Sequence, residues 1–279
     1  MGIRIFIITE YWIGKMGKQA RNYSPLTIKK LYALSGNECS FPGCSKQMVS
    51  QSNAKNSNIC HIEAANPDGQ RYREDMTDKE RADYENLILL CVDHHTETDD
   101  VHKYTVATLK KMKDEHEAKI ASRNLGRSPS MLKVAINKIS EIGLSDLKDT
   151  DASKSFNITT KLDYNGVTNK RRLINDLKVY YHKLNTLYDE LDRAGSLKKE
   201  NLLDNIRHIY LDVSGRYIGQ SDDYMPIIRQ HSDSIFEEVF NELLQLVDFG
   251  DVSLEELSPA LRVVMVDAFM RCKILEEPI

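Results

Sequence analysis

Three side chains suited to proton transfer and ion binding, His61, Asn86 and His95, sit among two pairs of soft metal ligands, Cys39-x4-Cys44 and Cys91-x2-His94. Thiolate and imidazole are the donors zinc favours, and a structural zinc site takes four of them from two short loops. Cys39, Cys44, Cys91 and His94 meet that count. Phe41-Pro42-Gly43 supplies a turn between the first two thiols, and the x2 spacing brings Cys91 and His94 to one side of a second turn. Neighbouring side chains on a helical turn diverge by about 100°, so His94 and His95 do not bind one ion together and His95 is left for another task. His61 stands in a strand-like stretch, Ile59-Cys60-His61-Ile62, and Asn86 directly precedes the apolar run that leads to Cys91. If zinc pins the second loop against the first, His61, Asn86 and His95 converge on one face as a catalytic set. The competing reading is ordinary buried cysteines and a surface histidine.

The elements around these residues must do the positioning. Thr77 and Glu80 form a capping box for a short helix near 78–85, and Leu87 to Leu90 reads as a buried strand running into Cys91. Thr105 caps a helix whose Val106, Leu109, Met112, His116 and Ile120 share one face. The period breaks at Asn-Leu-Gly-Arg-Ser-Pro-Ser, residues 124–130, which marks a boundary. Beyond it come a short helix at 131–142, a polar stretch, a strand-like segment at 156–162 and an Asn165-Gly166 turn, together read as a connector. From 169 the period is helical. Leu173, Leu177, Tyr181, Leu184, Tyr188 and Leu191 line one face, and Leu203, Ile206, Ile209, Tyr210, Val213 and Tyr217 another. Two more helices follow, at 224–247 and from Ser253 to about 273, the second with Glu256 three residues into it. Val263, Val264, Val266, Ala268 and Phe269 crowd the last helix more densely than one core stripe needs, which leaves two readings open: a helix buried on all sides, or one with part of its surface meeting a partner.

The chain thus divides into an N-terminal extension (1–23), a Cys/His module (24–123), a connector (124–168) and an all-α domain (169–279), an α+β protein overall. At 279 residues there is room for two cores, and no long apolar run marks a membrane span. The apolar opening at 3–13 is broken by Arg4, Thr9 and Glu10 and reads as an edge strand, with Met16 as an alternative start. Cysteines spaced with histidines as metal ligands argue for a reducing cytoplasm. Net charge is -4, but it is uneven: residues 1–130 carry 19 Lys+Arg against 17 Asp+Glu, so nucleic acid suits the first half alone. Arg71, Arg73, Lys79 and Arg81 are the local cluster that could face phosphates. His182, His208, His231 and Cys272 in the second half show no catalytic spacing.

Over residues 24–120 the chain resembles the HNH endonucleases, of the ββα-metal finger type with an added pair of zinc knuckles. The resemblance rests on the ordered string Cys39-x4-Cys44, His61-Ile62-x-Ala64, Gly69-x-Arg71, Asn86-Leu87-x-Leu89-Leu90-Cys91-x2-His94-His95-x3-Asp99 and Leu109-x3-Lys113-x2-His116-Glu117. It is most similar to the nuclease modules of bacterial anti-phage effectors. The resemblance implies that His61 is a general base, that Asn86 orients it or holds a water, and that His95 carries a catalytic divalent ion. It further implies that Arg71 grips a flanking phosphate and that Asp99 binds the ion or fixes the His95 imidazole. Many such enzymes have an aspartate ligand just before the base, where this chain has Cys60. A thiolate suits magnesium poorly, so the ion could equally be Mn²⁺ or Ni²⁺.

The end of the chain, 263–278, resembles the C-terminal domains of prokaryotic three-component systems built around an SMC-like ABC ATPase. Together the two resemblances imply a DNA-cutting effector of bacterial antiviral defence, docked through its second half onto an ATPase or another component. The rivals are a stand-alone restriction-type nuclease, disfavoured by an acidic second half, and a zinc-dependent DNA-binding or scaffold module that does not cut.

Overall fold

A computed structural model describes residues 19–49, 57–127, 130–144 and 157–278. The apolar opening at 3–13 and Met16 lie outside the described residues. The chain forms two compact units, Met1–Ile120 and Ala121–Ile279.

In the first unit, Ser24 caps helix α1 (Pro25–Leu34), its hydroxyl accepting from the Thr27 amide at 2.9 Å. Strand β1 (Ser57–His61) pairs antiparallel with β2 (Leu87–Cys91), Cys60 opposite Ile88 and His61 opposite Leu87. Every residue of β2 is buried, so its apolar run is continuous instead of alternating. Between the strands lie helix α2 (Asp78–Arg81), begun by the Thr77–Glu80 capping box, and a 3-10 turn at Tyr84–Asn86. Helix α3 (Val92–Glu97) starts where β2 ends, with Cys91 as its N-cap, and packs on both strands. Helix α4 (Val106–Arg127) begins as expected at Thr105, whose hydroxyl accepts from the Thr108 amide at 3.2 Å. It is tied to the sheet by buried polar groups. Lys113 donates to the carbonyls of Tyr84 and Leu87, and His116 Nε2 donates to that of Ser35 at 2.9 Å.

The second unit is helical throughout its described residues: α5 (Met131–Ser140), α6 (Ile158–Tyr164), α7 (Arg171–Leu177), α8 (Tyr181–Arg193), α9 (Lys198–Ile218), α10 (Met225–Leu246) and α11 (Leu254–Met270). Two expectations change here. The segment 124–168 is no passive connector, since α5 packs on α9 and α11 through buried Leu132, Ile136 and Ile139. The strand-like segment is instead helix α6. Asn157 Oδ1 accepts from the amides of Thr159 and Thr160, and that N-cap outweighs the β-branched residues that suggested a strand. The Asn165-Gly166 turn is present as the end of α6, Gly166 at φ +67°. α11 decides between its two readings: every residue from Leu257 to Phe269 is buried, Ser258, Arg262 and Asp267 included. Over that stretch it is a core helix, with no exposed face for a partner.

Candidate functional site

The cysteine loop is built by a narrow turn. The Cys39 amide donates to the Lys46 carbonyl at 3.0 Å, the Cys44 amide to that of Phe41 at 3.0 Å, and Gly43 takes the left-handed φ of +79° that closes the loop. The Ser40 amide donates to the Leu89 carbonyl at 2.9 Å, fastening the loop to β2, which ends in Cys91. His94 follows in α3, its ring stacked on Phe41 with centroids 3.8 Å apart. Its Nδ1 lies 3.1 Å from Cys91 Sγ and 3.5 Å from Cys39 Sγ.

All four ligand atoms of Cys39, Cys44, Cys91 and His94 lie within 4.8 Å of one another. A tetrahedral zinc with roughly 2.3 Å bonds to sulfur needs donors spaced by roughly 3.5–4 Å, so the group fits. It is a Cys3His set able to hold a metal such as zinc, and with four protein donors it is of the closed, structural kind. The donor chemistry points the same way. Without a cation, burial pushes the Cys39 thiol up to about 12, further raised by the neighbouring thiols Cys44 and Cys91 and partly offset by main-chain N–H groups. A divalent ion is what makes such a cluster ionise.

A separate cavity of about 330 Å³ opens beside the sheet, with His61, His95, Asp99, Cys60, Arg21 and Arg71 on its wall. None of the Cys3His residues lines it. β1 delivers His61 at its last position, while α3 carries His95 and its C-terminal turn carries Asp99, one helical turn on. His61 Nε2 sits 2.9 Å from the main-chain oxygen of Ala20. A carbonyl can only accept, so Nε2 carries the proton and Nδ1 is the basic nitrogen of the neutral ring. Burial lowers the His61 pKa, opposed by the Ala20 bond and reinforced by Arg21 and Arg81, so the ring is neutral at neutral pH. Cys60 is buried and its thiol is pushed up to about 12, chiefly by desolvation. It stays protonated there, a poor ligand for a hard cation.

Asn86 and Arg71 are placed differently from what their types suggest. Asn86 is buried and does not line the cavity. Its Oδ1 accepts from the Glu63 amide at 2.8 Å, and its Nδ2 donates to the carbonyls of Glu63 at 2.9 Å and Arg81 at 3.0 Å. It therefore fixes the backbone two residues after His61 and does not touch the imidazole itself. Arg71 adopts φ +59° and turns its guanidinium inward. Nε donates to the Ile62 carbonyl at 2.8 Å, and Nη1 to those of Thr98 at 2.9 Å and Tyr104 at 3.0 Å. Three of five N–H donors are thus spent on main chain.

The expected phosphate-facing cluster is broken for the same reason. Arg81 is buried and donates to the carbonyls of Ala64, Arg73 and Met76. Ala20 is invisible to sequence reasoning, because a main-chain carbonyl has no side-chain signature. Arg21, which lines the cavity, was passed over because it lies ahead of the spaced ligands.

Among the described residues no helix is long and apolar enough to cross a membrane. The family model of C-terminal domain 10 of the ABC-three component (ABC-3C) systems matches residues 130–276, more than half of the chain and nearly all of its second unit. No curated protein and no solved structure matches.

Proposed function

We propose that this chain, which belongs to the ABC-three-component (ABC-3C) systems through their C-terminal domain 10, is the metal-dependent HNH-type endonuclease of such a system, cutting DNA phosphodiester bonds with its first unit. The family supports a role in a multi-component defence system. The other components are the natural partners of the second unit, an SMC-like ABC ATPase first among them.

One observation carries the nuclease reading: a single cavity gathers His61, His95 and Asp99, while the adjacent Cys3His group spends its four donors elsewhere. His61 has the attributes of a general base. Its proton is held on Nε2 by the Ala20 carbonyl, Nδ1 is left to take a proton from water, and burial keeps the ring unprotonated in the working range. His95 and Asp99, an imidazole and a carboxylate four residues apart, are donors suited to Mg²⁺, Mn²⁺ or Ni²⁺, and two protein ligands leave open positions for water and phosphate oxygens. Such an ion, when bound, polarises the phosphate and offsets charge on the leaving oxygen. Asn86 acts one step back, holding the Glu63 backbone and with it the turn that follows His61.

The test is purified full-length protein with plasmid DNA and a panel of divalent ions, with and without EDTA. Nicking that depends on added ion and is lost in His61→Ala supports the reading. Plasmid left intact under every ion would reduce the first unit to a zinc-dependent binding or scaffold module.

A further inference from the structure

Resting on that nuclease reading, we propose that Arg21, and not Arg71, is the phosphate-gripping arginine of the cavity, and that residues 19–22 form a working wall of the site.

An incoming phosphodiester meets two carboxylates on the cavity wall, Asp68 and Asp99, and so needs a cationic partner to enter. Histidines apart, the cationic side chains on that wall among the described residues are Arg21 and Arg71. Arg71 is held by the fold: half-buried, in a left-handed backbone conformation, with three N–H donors on the carbonyls of Ile62, Thr98 and Tyr104. Turning it toward a phosphate would break those bonds and strand buried carbonyls.

Arg21 is exposed at the same wall. Its placement is nonetheless firm. Ala20 is fully buried and its carbonyl meets His61 Nε2, while the Asn22 amide donates back to the Gln19 carbonyl at 2.9 Å, closing a turn around Arg21. One peptide unit therefore separates the contact that sets the tautomer of the base from the cation.

The guanidinium is also aimed. Its Nη1 donates to Asn66 Oδ1 at 3.2 Å, a neutral amide on a loop that also lines the cavity. That loop closes tightly at Gly69, where a Cβ would come within 2.5 Å of the Ala64 Cβ. The charge of Arg21 already reaches the base, since it is among the causes that lower the His61 pKa. A phosphate bound at Arg21 lies in that same field, next to the imidazole that must deprotonate its attacking water.

The experiment uses full-length wild type, Arg21→Gln, Arg21→Lys and Arg71→Gln. It measures binding of a short fluorescein-labelled DNA duplex, without added divalent ion and across a salt series, together with melting temperature and zinc content. Plasmid cleavage by the wild type is read in parallel. Arg21→Gln is expected to weaken binding by about ten- to a hundredfold, the range for a lost charge-assisted hydrogen bond. It should also lower the slope of log affinity against log salt by about one, with melting and zinc unchanged. Arg21→Lys should recover much of the binding, because it keeps the charge and loses only the fork. Arg71→Gln should lower the melting temperature.

Unchanged affinity and salt slope in Arg21→Gln overturn the proposal. So does a loss of melting temperature as large as that of Arg71→Gln, which would make Arg21 a brace. A wild type that binds duplex through Arg21 yet cuts nothing under any ion would sink the nuclease reading and leave the phosphate contact standing.

Discussion

The two units solve the problem of staying folded in opposite ways. The first surrounds a two-stranded sheet with short helices and turns, and it recruits long polar side chains as braces. Arg71, Arg81, Asn86 and Lys113 all donate to main-chain carbonyls, and Cys39, Cys44, Cys91 and His94 converge as a metal set. The second has fewer loops to brace, because helices satisfy their own main chain, and it relies more on packing; Lys161 on the Phe269 carbonyl and Asn205 on that of Ile139 are its counterparts to those braces. Several of its other charges are buried in pairs: Lys170 lies 3.1 Å from Glu237, Arg262 3.4 Å from Glu237, and Arg271 3.0 Å from Asp267. A small core cannot hold irregular loops by hydrophobic burial alone, so directional bonds take over, together with a Cys3His set able to hold a metal. The cavity draws on both regular elements and such loops, with β1 and α3 carrying His61 and His95 and the loop at 64–71 forming much of the remaining wall. Binding and catalytic groups belong on loops held by a frame, and here the frame is largely polar.

Breaking the metal set should separate the units most sharply. Cys39→Ser or Cys91→Ser removes a donor from a site whose binding free energy is folding free energy, about 10–16 kcal/mol in zinc-finger peptides. The first unit is expected to become protease-sensitive and lose its metal, while a protected fragment covering 130–276 persists. Elemental analysis paired with limited proteolysis reads both at once. A folded, zinc-free first unit would end the argument that metal replaces core.

His61→Ala probes the other extreme of the same unit, a group that on the nuclease reading lowers the barrier and gives the fold one side-chain bond, to the Ala20 carbonyl. Cleavage is expected to fall by about 10²–10⁴-fold with melting temperature and zinc content close to wild type. His95→Ala should lower cleavage as well and demand more of the divalent ion. Cleavage by either variant at the wild-type rate would remove that residue from the site.

How much of this was legible differs between the units for the same physical reason. Ligand spacing is a local property, so the Cys3His set was readable from Cys39-x4-Cys44 and Cys91-x2-His94, and the structure brings all four together. Helix caps are local too: Thr77 with Glu80 forms a full capping box, and Ser253 accepts from the Glu256 amide, each beginning a helix as expected. The faces of α7 to α9 followed from their period, with Leu173, Leu177, Leu184, Leu203 and Ile206 buried. What the sequence leaves unreadable is long-range. Whether an arginine faces solvent or a carbonyl depends on where distant loops turn, and Arg71 reaches main chain 27 and 33 residues away. Likewise the Ala20 carbonyl meets His61 across 41 residues, with nothing in its side chain to announce it. The apolar surplus of α11 could not decide between a buried helix and a partner surface, because that depends on distant helices, and the structure shows it buried from Leu257 to Phe269.

In the second unit the corresponding cut is Leu261→Ala, at a fully buried position of α11. Removing that side chain from a packed core costs about 2–5 kcal/mol. The loss should appear in the thermal transition of the second unit, with zinc retained by the first. Zinc lost in step with that transition would mean that the two units do not fold by separate means.

Mild acid should make the smallest and most selective distinction. In the first unit His61 and His116 are both lowered from the ordinary histidine value, each chiefly by burial. The neighbours of His116 pull both ways: its bond to the Ser35 carbonyl and the charges of Glu117 and Glu38 raise it, and Lys119 lowers it. A histidine with a depressed folded pKa binds fewer protons folded than unfolded, so its stabilising share is complete above the unfolded value near 6.5 and is lost as pH falls below it. Asp267 in the second unit is shifted the opposite way, raised by burial against the pull of Arg271 and Tyr188. A carboxyl with a raised folded pKa favours the folded state more as pH falls toward the ordinary carboxylate range. Going from about pH 7.5 to about pH 5.5 should therefore lower the thermal transition of the first unit and leave that of the second in place. Protons also compete with zinc for thiolate and imidazole, which pushes the first unit in the same direction, so zinc content must be followed in parallel. His116→Gln separates the two contributions. It removes one titrating group, keeps a side chain able to donate to Ser35, and should shrink the acid-induced shift without changing zinc retention. An acid response identical in wild type and His116→Gln would assign the whole effect to the metal set, and hold the buried histidines irrelevant to it.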